Sequence, residues 1–323
     1  MGFISRQIEN RYKKVLFTRH EPDDRIYYFS AGDFPGLHRR EYSFKSKKGH
    51  TVRGWFYHYL KKYRTDSIIV FDHGLAPWHK SYMREIEKLC SQGYVVYTFD
   101  HTGCGDSEGE NVMGLCGSAC DLDDCLNALK KIKGISSCKI MVVGHSRGGY
   151  STLNIPALHP EVDKIVAISA FTSLRTMQKE VTPFVLALFR RHILELERKH
   201  NHEYVDLCAI KTLSSCDTPA LIIHSKDDST VSCKKNFSKL KKALSHRPNT
   251  EFLLLSDRNH NPTFTKKAVE YKKAFFKDFA KQKKREKKDP SNIDYSFIAR
   301  YDWYKMTEQD GEVWKTIFAF LDK

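Results

Sequence analysis

No run of 18 or more apolar residues occurs in the 323-residue chain, which argues against a membrane-spanning helix. The first residues, Met1-Gly2-Phe3-Ile4-Ser5-Arg6, lack the apolar core of a secretory signal. Arg6 stands where an N-myristoylation pattern needs Ser or Thr. The nine cysteines include no C-x-x-C pair, and no His-rich motif accompanies Cys116, Cys120 and Cys125. Reduced, partly buried thiols in a cytoplasmic compartment are therefore expected, with no metal site and no cofactor. Motifs of nucleic-acid-binding modules are missing too, so no nucleic-acid partner is expected. Acidic residues are scarce relative to basic ones: 39 Asp and Glu face 54 Lys and Arg, a formal net charge of +15.

What the chain does have is Gly144-His145-Ser146-Arg147-Gly148-Gly149. This G-x-S-x-G element follows Lys139-Ile140-Met141-Val142-Val143, an apolar run that reads as a buried strand. It precedes Tyr150 to Leu158, which reads as a helix. Strand, sharp turn and helix are the context that a nucleophile elbow requires. The turn strains the Ser146 backbone and projects its hydroxyl into a cleft. A Cβ at position 144 or 148 would strike the neighbouring strand or helix. The Arg147 N–H falls at a helix N-terminus, where the dipole favours a developing oxyanion.

A serine at such an elbow needs a base, and an acid to orient that base. The short strand Ala220-Leu221-Ile222-Ile223 leads into His224-Ser225-Lys226-Asp227-Asp228, and Glu251 to Leu255 leads into Ser256-Asp257-Arg258-Asn259-His260. Asp228 and His260 thus both lie just past strand ends, where open α/β sheets place their ligands. They are 32 residues apart, with room for one helix at Lys234 to Leu244. A second oxyanion donor is expected after the strand Ser67 to Phe71, where Gly74 lets the backbone bend toward the serine. The Leu75 N–H is the candidate, paired with that of Arg147. Losing one such donor costs about 3 kcal/mol of transition-state stabilisation. His73 and Gly74, in the same turn, are assigned to the substrate-binding surface.

Four blocks carry a family resemblance: His73-Gly74, Asp100-His101-Thr102-Gly103-Cys104-Gly105-Asp106-Ser107-Glu108-Gly109, the elbow, and the Asp228 and His260 loops. Together they resemble α/β-hydrolases of the monoacylglycerol lipase and serine aminopeptidase-like group, which also contains cinnamoyl esterases. The second block is similar to that group's D-H-x-G-x-G-x-S-E-G. The resemblance implies an α/β fold with a mostly parallel central sheet, helices on both faces and a helical cap insertion. The group's acid loop usually reads H-G-x-x-D-x-x-V, and Ser225 here replaces the Gly. Aligning His224 and Val231 selects Asp228 as the acid, with adjacent Asp227 the alternative.

Alternating strands and helices also demand a parallel sheet. Residues 39–170 and 217–262 form the expected core, preceded by an unpatterned lead-in over 1–38. Tyr42 to Tyr59 reads as an antiparallel pair turning at Lys47-Lys48-Gly49. Residues 171–216 are longer than a crossover needs and correspond to the cap or lid. Thr182-Pro183 opens an apolar helix there, and Leu186 and Phe189 are assigned to an acyl pocket over Ser146. A purely structural helical insertion is the alternative. Residues 263–308 form a second insertion ahead of a C-terminal core helix in 309–323. Between Lys266 and Lys288 it holds 11 basic and 3 acidic residues. Ala268, Tyr271, Phe275 and Phe279 recur at helical spacing, which predicts a basic amphipathic helix ended by Asp289-Pro290. Docking by its aromatic stripe, or weak contact with an anionic surface, would suit this helix. Tyr295, Phe297, Tyr301, Trp303 and Tyr304 read as an aromatic seam to the body.

The expected activity is ester hydrolysis of acyl or aryl substrates through Ser146, His260 and Asp228, with an acyl-enzyme intermediate. Thioesterase or amidase/peptidase action with the same residues is the alternative, and a non-catalytic binding protein is the rival from another class.

Overall fold

Ser67-Ile68-Ile69-Val70-Phe71-Asp72 is buried at every position, which marks a strand covered on both faces. Its side chains divide by the two-residue period of a strand. Ile68 and Val70 join one hydrophobic layer with Leu122, Leu126, Leu153 and Leu240. Ile69 and Phe71 join another with Ile86, Leu89, Trp314 and Ile317. The strand carrying the elbow splits in the same way, with Ile140 and Val142 in the first layer and Met141 and Val143 in the second. Full burial of one such side chain stabilises by about 1.5–3 kcal/mol, so the two layers clamp the sheet between them.

The computed structural model describes residues 3–61, 63–181, 190–289, 294 and 296–323. Its strands are β1 (Leu37–Glu41), β2 (Phe44–Lys45), β3 (Thr51–Val52), β4 (Gly54–Tyr59), β5 (Ser67–Asp72), β6 (Val95–Phe99), β7 (Lys139–His145), β8 (Lys164–Ile168), β9 (Ala220–Ser225) and β10 (Thr250–Leu255). One sheet runs β1-β4-β6-β5-β7-β8-β9-β10. The β1–β4 and β4–β6 pairs are antiparallel, and every pair from β6 to β10 is parallel. Strands β2 and β3 form a separate antiparallel pair around the turn at Lys47-Lys48-Gly49.

The described helices are α1 (Phe3–Leu16), α2 (Met83–Ser91), α3 (Gly117–Leu129), α4 (Arg147–Asn154), α5 (Leu174–Val181), α6 (Arg190–Asn201), α7 (Ala209–Ser214), α8 (Phe237–Leu244), α9 (Lys266–Lys288), α10 (Trp303–Met306) and α11 (Gly311–Leu321). Helices α3, α4, α7 and α8 supply the first hydrophobic layer, and α2 and α11 the second. The chain therefore has a mostly parallel sheet with helices on both faces. Register brings the business ends together: Asp72 pairs with Gly144, His145 with Ile168, and Leu255 with Ser225. The loops after β5, β7, β9 and β10 consequently converge at one edge of the sheet.

Three segments add to this frame. The lead-in, expected to be unpatterned, contains α1. Tyr12 and Leu16, one turn apart, bury against Cys116, Cys120 and Ile193. Two anchors four residues apart in a polar run leave little periodic signal. In the expected cap, α5, α6 and α7 are described, and Leu174 and Ile193 pack into the same cluster as α1. The Thr182-Pro183 start and the pocket residues Leu186 and Phe189 lie outside the described residues. The basic helix α9 begins where the Thr265 hydroxyl accepts from the Ala268 N–H at 3.1 Å, a side-chain N-cap. Ala268 and Phe275 are buried, while Lys283, Lys284, Arg285, Lys287 and Lys288 are exposed. Phe275 sits among Phe279, Phe297, Tyr301 and Trp303, with ring centroids 4.9–5.8 Å away. These rings pack within the insertion itself, and Trp303 and Tyr304 meet Tyr27 and Phe29 of the lead-in at 6.3 and 4.7 Å between ring centroids; Pro290 and Tyr295 lie outside the described residues. No helix among the described residues is long and apolar enough to cross a membrane.

Candidate active site

The elbow is built from what its neighbours leave no room for. A Cβ at Gly144 would fall 2.2 Å from the Thr152 Oγ1, and one at Gly148 would fall 2.1 Å from the Asp72 carbonyl oxygen. Only glycine permits that approach of β7, α4 and β5. Ser146 between them has φ +57° and ψ −113°, a conformation that costs a non-glycine residue of order 1–3 kcal/mol. Its N–H donates to the Ile168 carbonyl at 2.8 Å, which pins the turn to β8.

From Ser146 a hydrogen-bond chain runs inward. The Ser146 Oγ lies 2.9 Å from the His260 Nε2. The His260 Nδ1 lies 2.8 Å from the Asp228 Oδ2. An ionised carboxylate only accepts, so Nδ1 carries the proton and Nε2 presents its lone pair to the serine. The Asp228 side chain is wholly buried, whereas His260 keeps 17% of its side chain exposed. The Asp228 Oδ1 accepts from the Thr230 and Val231 N–H groups, both at 2.9 Å. Burial pushes this carboxyl up, but the His260 contact and the Val231 N–H outweigh it and hold Asp228 below the usual carboxylate range. Asp227 faces elsewhere. Its oxygens accept from the Arg258 and Asn259 N–H groups at 3.3 and 3.1 Å, so it shapes the loop that carries His260.

A family model described as serine aminopeptidase, S33, matches residues 63–209. The structure superposes on an esterase of Pyrococcus furiosus with a TM-score of 0.58 at 18% identity, covering 87% of this chain and 99% of that one. An acetyl xylan esterase from Paenibacillus sp. R4 gives a TM-score of 0.55 at 16% identity, covering 80% of this chain and 87% of its own. An esterase domain from Rhodothermus marinus gives 0.51 at 19%, covering 69% and 89%. The chain has the α/β-hydrolase fold.

The remaining candidates divide within this α/β-hydrolase fold. Gly74 closes on the serine: a Cβ there would lie 3.1 Å from the Ser146 Cβ and from the His145 carbonyl oxygen. Leu75 is 38% exposed on the wall of the adjoining cavity. Arg147 is the first residue of α4, so its N–H has no acceptor within the helix. Its side chain has a separate task. The guanidinium is buried and donates to the Val112 and Gly114 carbonyls at 2.8 and 3.1 Å, tying down the loop before α3. His73 does not reach the cavity, which corrects its assignment to the substrate-binding surface. The ring is fully buried, with Nδ1 2.7 Å from the Gly74 carbonyl oxygen and Nε2 accepting from the His101 N–H at 3.3 Å. Burial holds it well below the usual histidine range, and so it stays neutral.

Two further histidines support this site and were not singled out from the sequence. His145 donates from Nε2 to the His260 carbonyl at 2.7 Å and accepts at Nδ1 from the Tyr82 hydroxyl at 2.9 Å. Burial, then the proximity of His260, lowers its pKa to about 3. Its only sequence signal is its place inside the elbow motif. His101, buried below, bridges the Asp72 Oδ1 at 2.7 Å and the Asp121 Oδ2 at 3.1 Å. Burial opposes its charge, but the two carboxylates outweigh that and raise it.

A cavity of about 600 Å³ opens beside His260. Its walls come from Tyr27 to Phe29 of the lead-in, the loop and helix after β5, and the Val269 and Phe276 side of α9. Among the described residues, none from 171–216 lines it. The second insertion and the lead-in supply part of its wall. No cluster of three or more His, Cys, Asp or Glu suited to a metal occurs among the described residues.

Proposed function

We propose that this protein hydrolyses carboxylic esters. The observation that carries the reading is the continuous chain Ser146–His260–Asp228, with contacts of 2.9 and 2.8 Å, at the edge of a cavity. Ser146 Oγ bonds to the ester carbonyl carbon as its proton passes to the His260 Nε2, and the carbonyl oxygen becomes an oxyanion. The Leu75 and Arg147 N–H groups hold that oxyanion. Collapse breaks the bond to the alkoxide, which takes the proton from His260. Water then repeats the sequence on the acyl-enzyme, releasing the acid and free serine. Asp228 keeps His260 in the required tautomer and balances the imidazolium. Proteins named as esterases share the fold, which supports the same reading.

The test is a fluorophosphonate probe together with p-nitrophenyl esters of rising chain length, acyl-CoA thioesters and aminoacyl anilides. Labelling at Ser146 and ester turnover that Ser146→Ala lowers by about 1000-fold or more are expected. Turnover retained in that variant would remove Ser146 from the mechanism. Anilide or thioester turnover above that of every ester would replace the substrate class.

A further inference from the structure

The cavity beside His260 is lined by Lys80, Arg84, Lys272 and Lys273, none of which forms an ion pair with a described carboxylate. The Arg84 guanidinium lies over three rings, 4.9 Å from Tyr304, 5.6 Å from Phe29 and 5.8 Å from Phe34. It forms no ion pair or hydrogen bond with any described residue, and its Nε is buried without a partner. Lys80 sits 4.0 Å over the Trp78 ring and pairs with no described carboxylate either. On the same wall, the Ser81 hydroxyl is buried and unpartnered. Lys272 and Lys273 of α9 line the cavity as well. Lys272 donates to the Asn261 Oδ1 at 2.9 Å, one residue beyond His260.

One carboxyl shares the space. Glu85 is buried, and burial pushes it up to about 7, with Lys272 and Arg84 acting the other way. It is therefore about half ionised near pH 7 and offsets part of the positive charge. Ring faces repay an arginine's lost hydration only in part, by about 0.5–2 kcal/mol for each contact. A guanidinium fork is shaped for two parallel hydrogen bonds to a carboxylate or phosphate. Tyr28, Val269, Phe276 and Met306 give the same cavity an apolar wall.

We propose that this cavity selects esters whose acyl chain ends in a carboxylate, which Arg84 grips with help from Lys80 and the Ser81 hydroxyl. The apolar wall takes the methylenes between the carboxylate and the scissile carbonyl. This rests on the ester reading for the chemistry, but the anion site can be measured without turnover.

The experiment pairs mono-p-nitrophenyl glutarate with p-nitrophenyl valerate, and the suberate monoester with the octanoate. Calorimetry on Ser146→Ala reads binding, and wild-type kcat/KM reads turnover. Tighter binding of the anionic member by about tenfold, roughly 1.4 kcal/mol, is expected in at least one pair. That preference should shrink in 1 M salt, where screening acts within about 3 Å. Adding Arg84→Gln should bring the two members of the pair to within about twofold. Should Arg84→Gln not fold, Lys80→Gln with Ser81→Ala serves instead and should cut the preference by about threefold. Equal binding within both pairs, or a preference that the folded variant keeps, overturns the proposal. Preferential binding with no turnover of any ester supports the anion site and overturns the ester reading. Turnover of both members with equal binding overturns the anion site alone.

Discussion

His145 donates a hydrogen bond of 2.7 Å to the backbone carbonyl of His260, so the residue before the elbow serine positions the residue that faces it. The contact is between neighbours in space that are 115 residues apart in sequence. With its pKa lowered to about 3, His145 stays neutral and keeps its Nε2 proton for this bond.

Replacing His145 by Ala should therefore lower kcat for a p-nitrophenyl ester by about tenfold with little change in KM. The buried Tyr82 hydroxyl and His260 carbonyl each lose a partner, at a cost of about 1–3 kcal/mol in stability. Steady-state kinetics and urea denaturation check both effects. A kcat equal to wild type would show that the His260 loop holds its position unaided.

The neighbouring carboxylates should separate sharply. Asp228→Asn removes the acceptor at the His260 Nδ1, and kcat should fall by about 1000-fold or more. Asp227→Asn weakens only the bonds to the Arg258 and Asn259 N–H groups, and the loss should stay within about tenfold. The reverse ranking would transfer the orienting role to Asp227.

Glu85 gives a stability signature in pH. Burial raises its pKa from 4.5 to about 7, so the folded chain binds this proton more tightly than the unfolded chain does. The resulting stabilisation is complete below pH 4.5 and is lost as pH rises through about 7. Its size is about 3 kcal/mol, because a tenfold difference in proton affinity between the two states is worth about 1.4 kcal/mol. Denaturation of Glu85→Gln at pH 5 and pH 8 should show a correspondingly smaller change than wild type. Identical pH dependence in both proteins would place the Glu85 carboxyl in a solvated setting.

Phe275 is 1% exposed at the centre of the aromatic seam. Truncation to Ala should cost about 3–5 kcal/mol, because four flanking rings cannot collapse into the space. The shift in denaturation midpoint checks this. A loss below about 1 kcal/mol would mean that α9 is held chiefly by its ion pairs, such as Arg25–Glu286.

The sheet was largely legible because its signal is local. Continuous apolar runs located β5, β7 and β9, and the amphipathic stripe located α9. Motif order pointed to Ser146, His260 and Asp228, and the structure places them in one hydrogen-bonded chain. The cavity was not legible, because no local pattern predicts which distant segments will meet. Phe29 and Tyr304 touch, at 4.7 Å between rings, across nearly the whole sequence. Burial likewise decided the place of His73: its position in the turn after β5 did not show that Gly74 and His101 would enclose its ring. Helix α1 escaped because its described buried side chains are only Tyr12 and Leu16.

The contact between Phe29 and Tyr304 also sets an order of events during synthesis. Residues 37 to 255 include every strand of the sheet, and His260 follows directly. The far wall of the cavity waits for residues 303–307 to leave the ribosome and find the lead-in. At about 5–20 residues per second, that delay lasts a few seconds. A nascent chain stalled before residues 303–307 emerge therefore has the whole sheet but a groove open on one side, and whatever selectivity the cavity confers is acquired last.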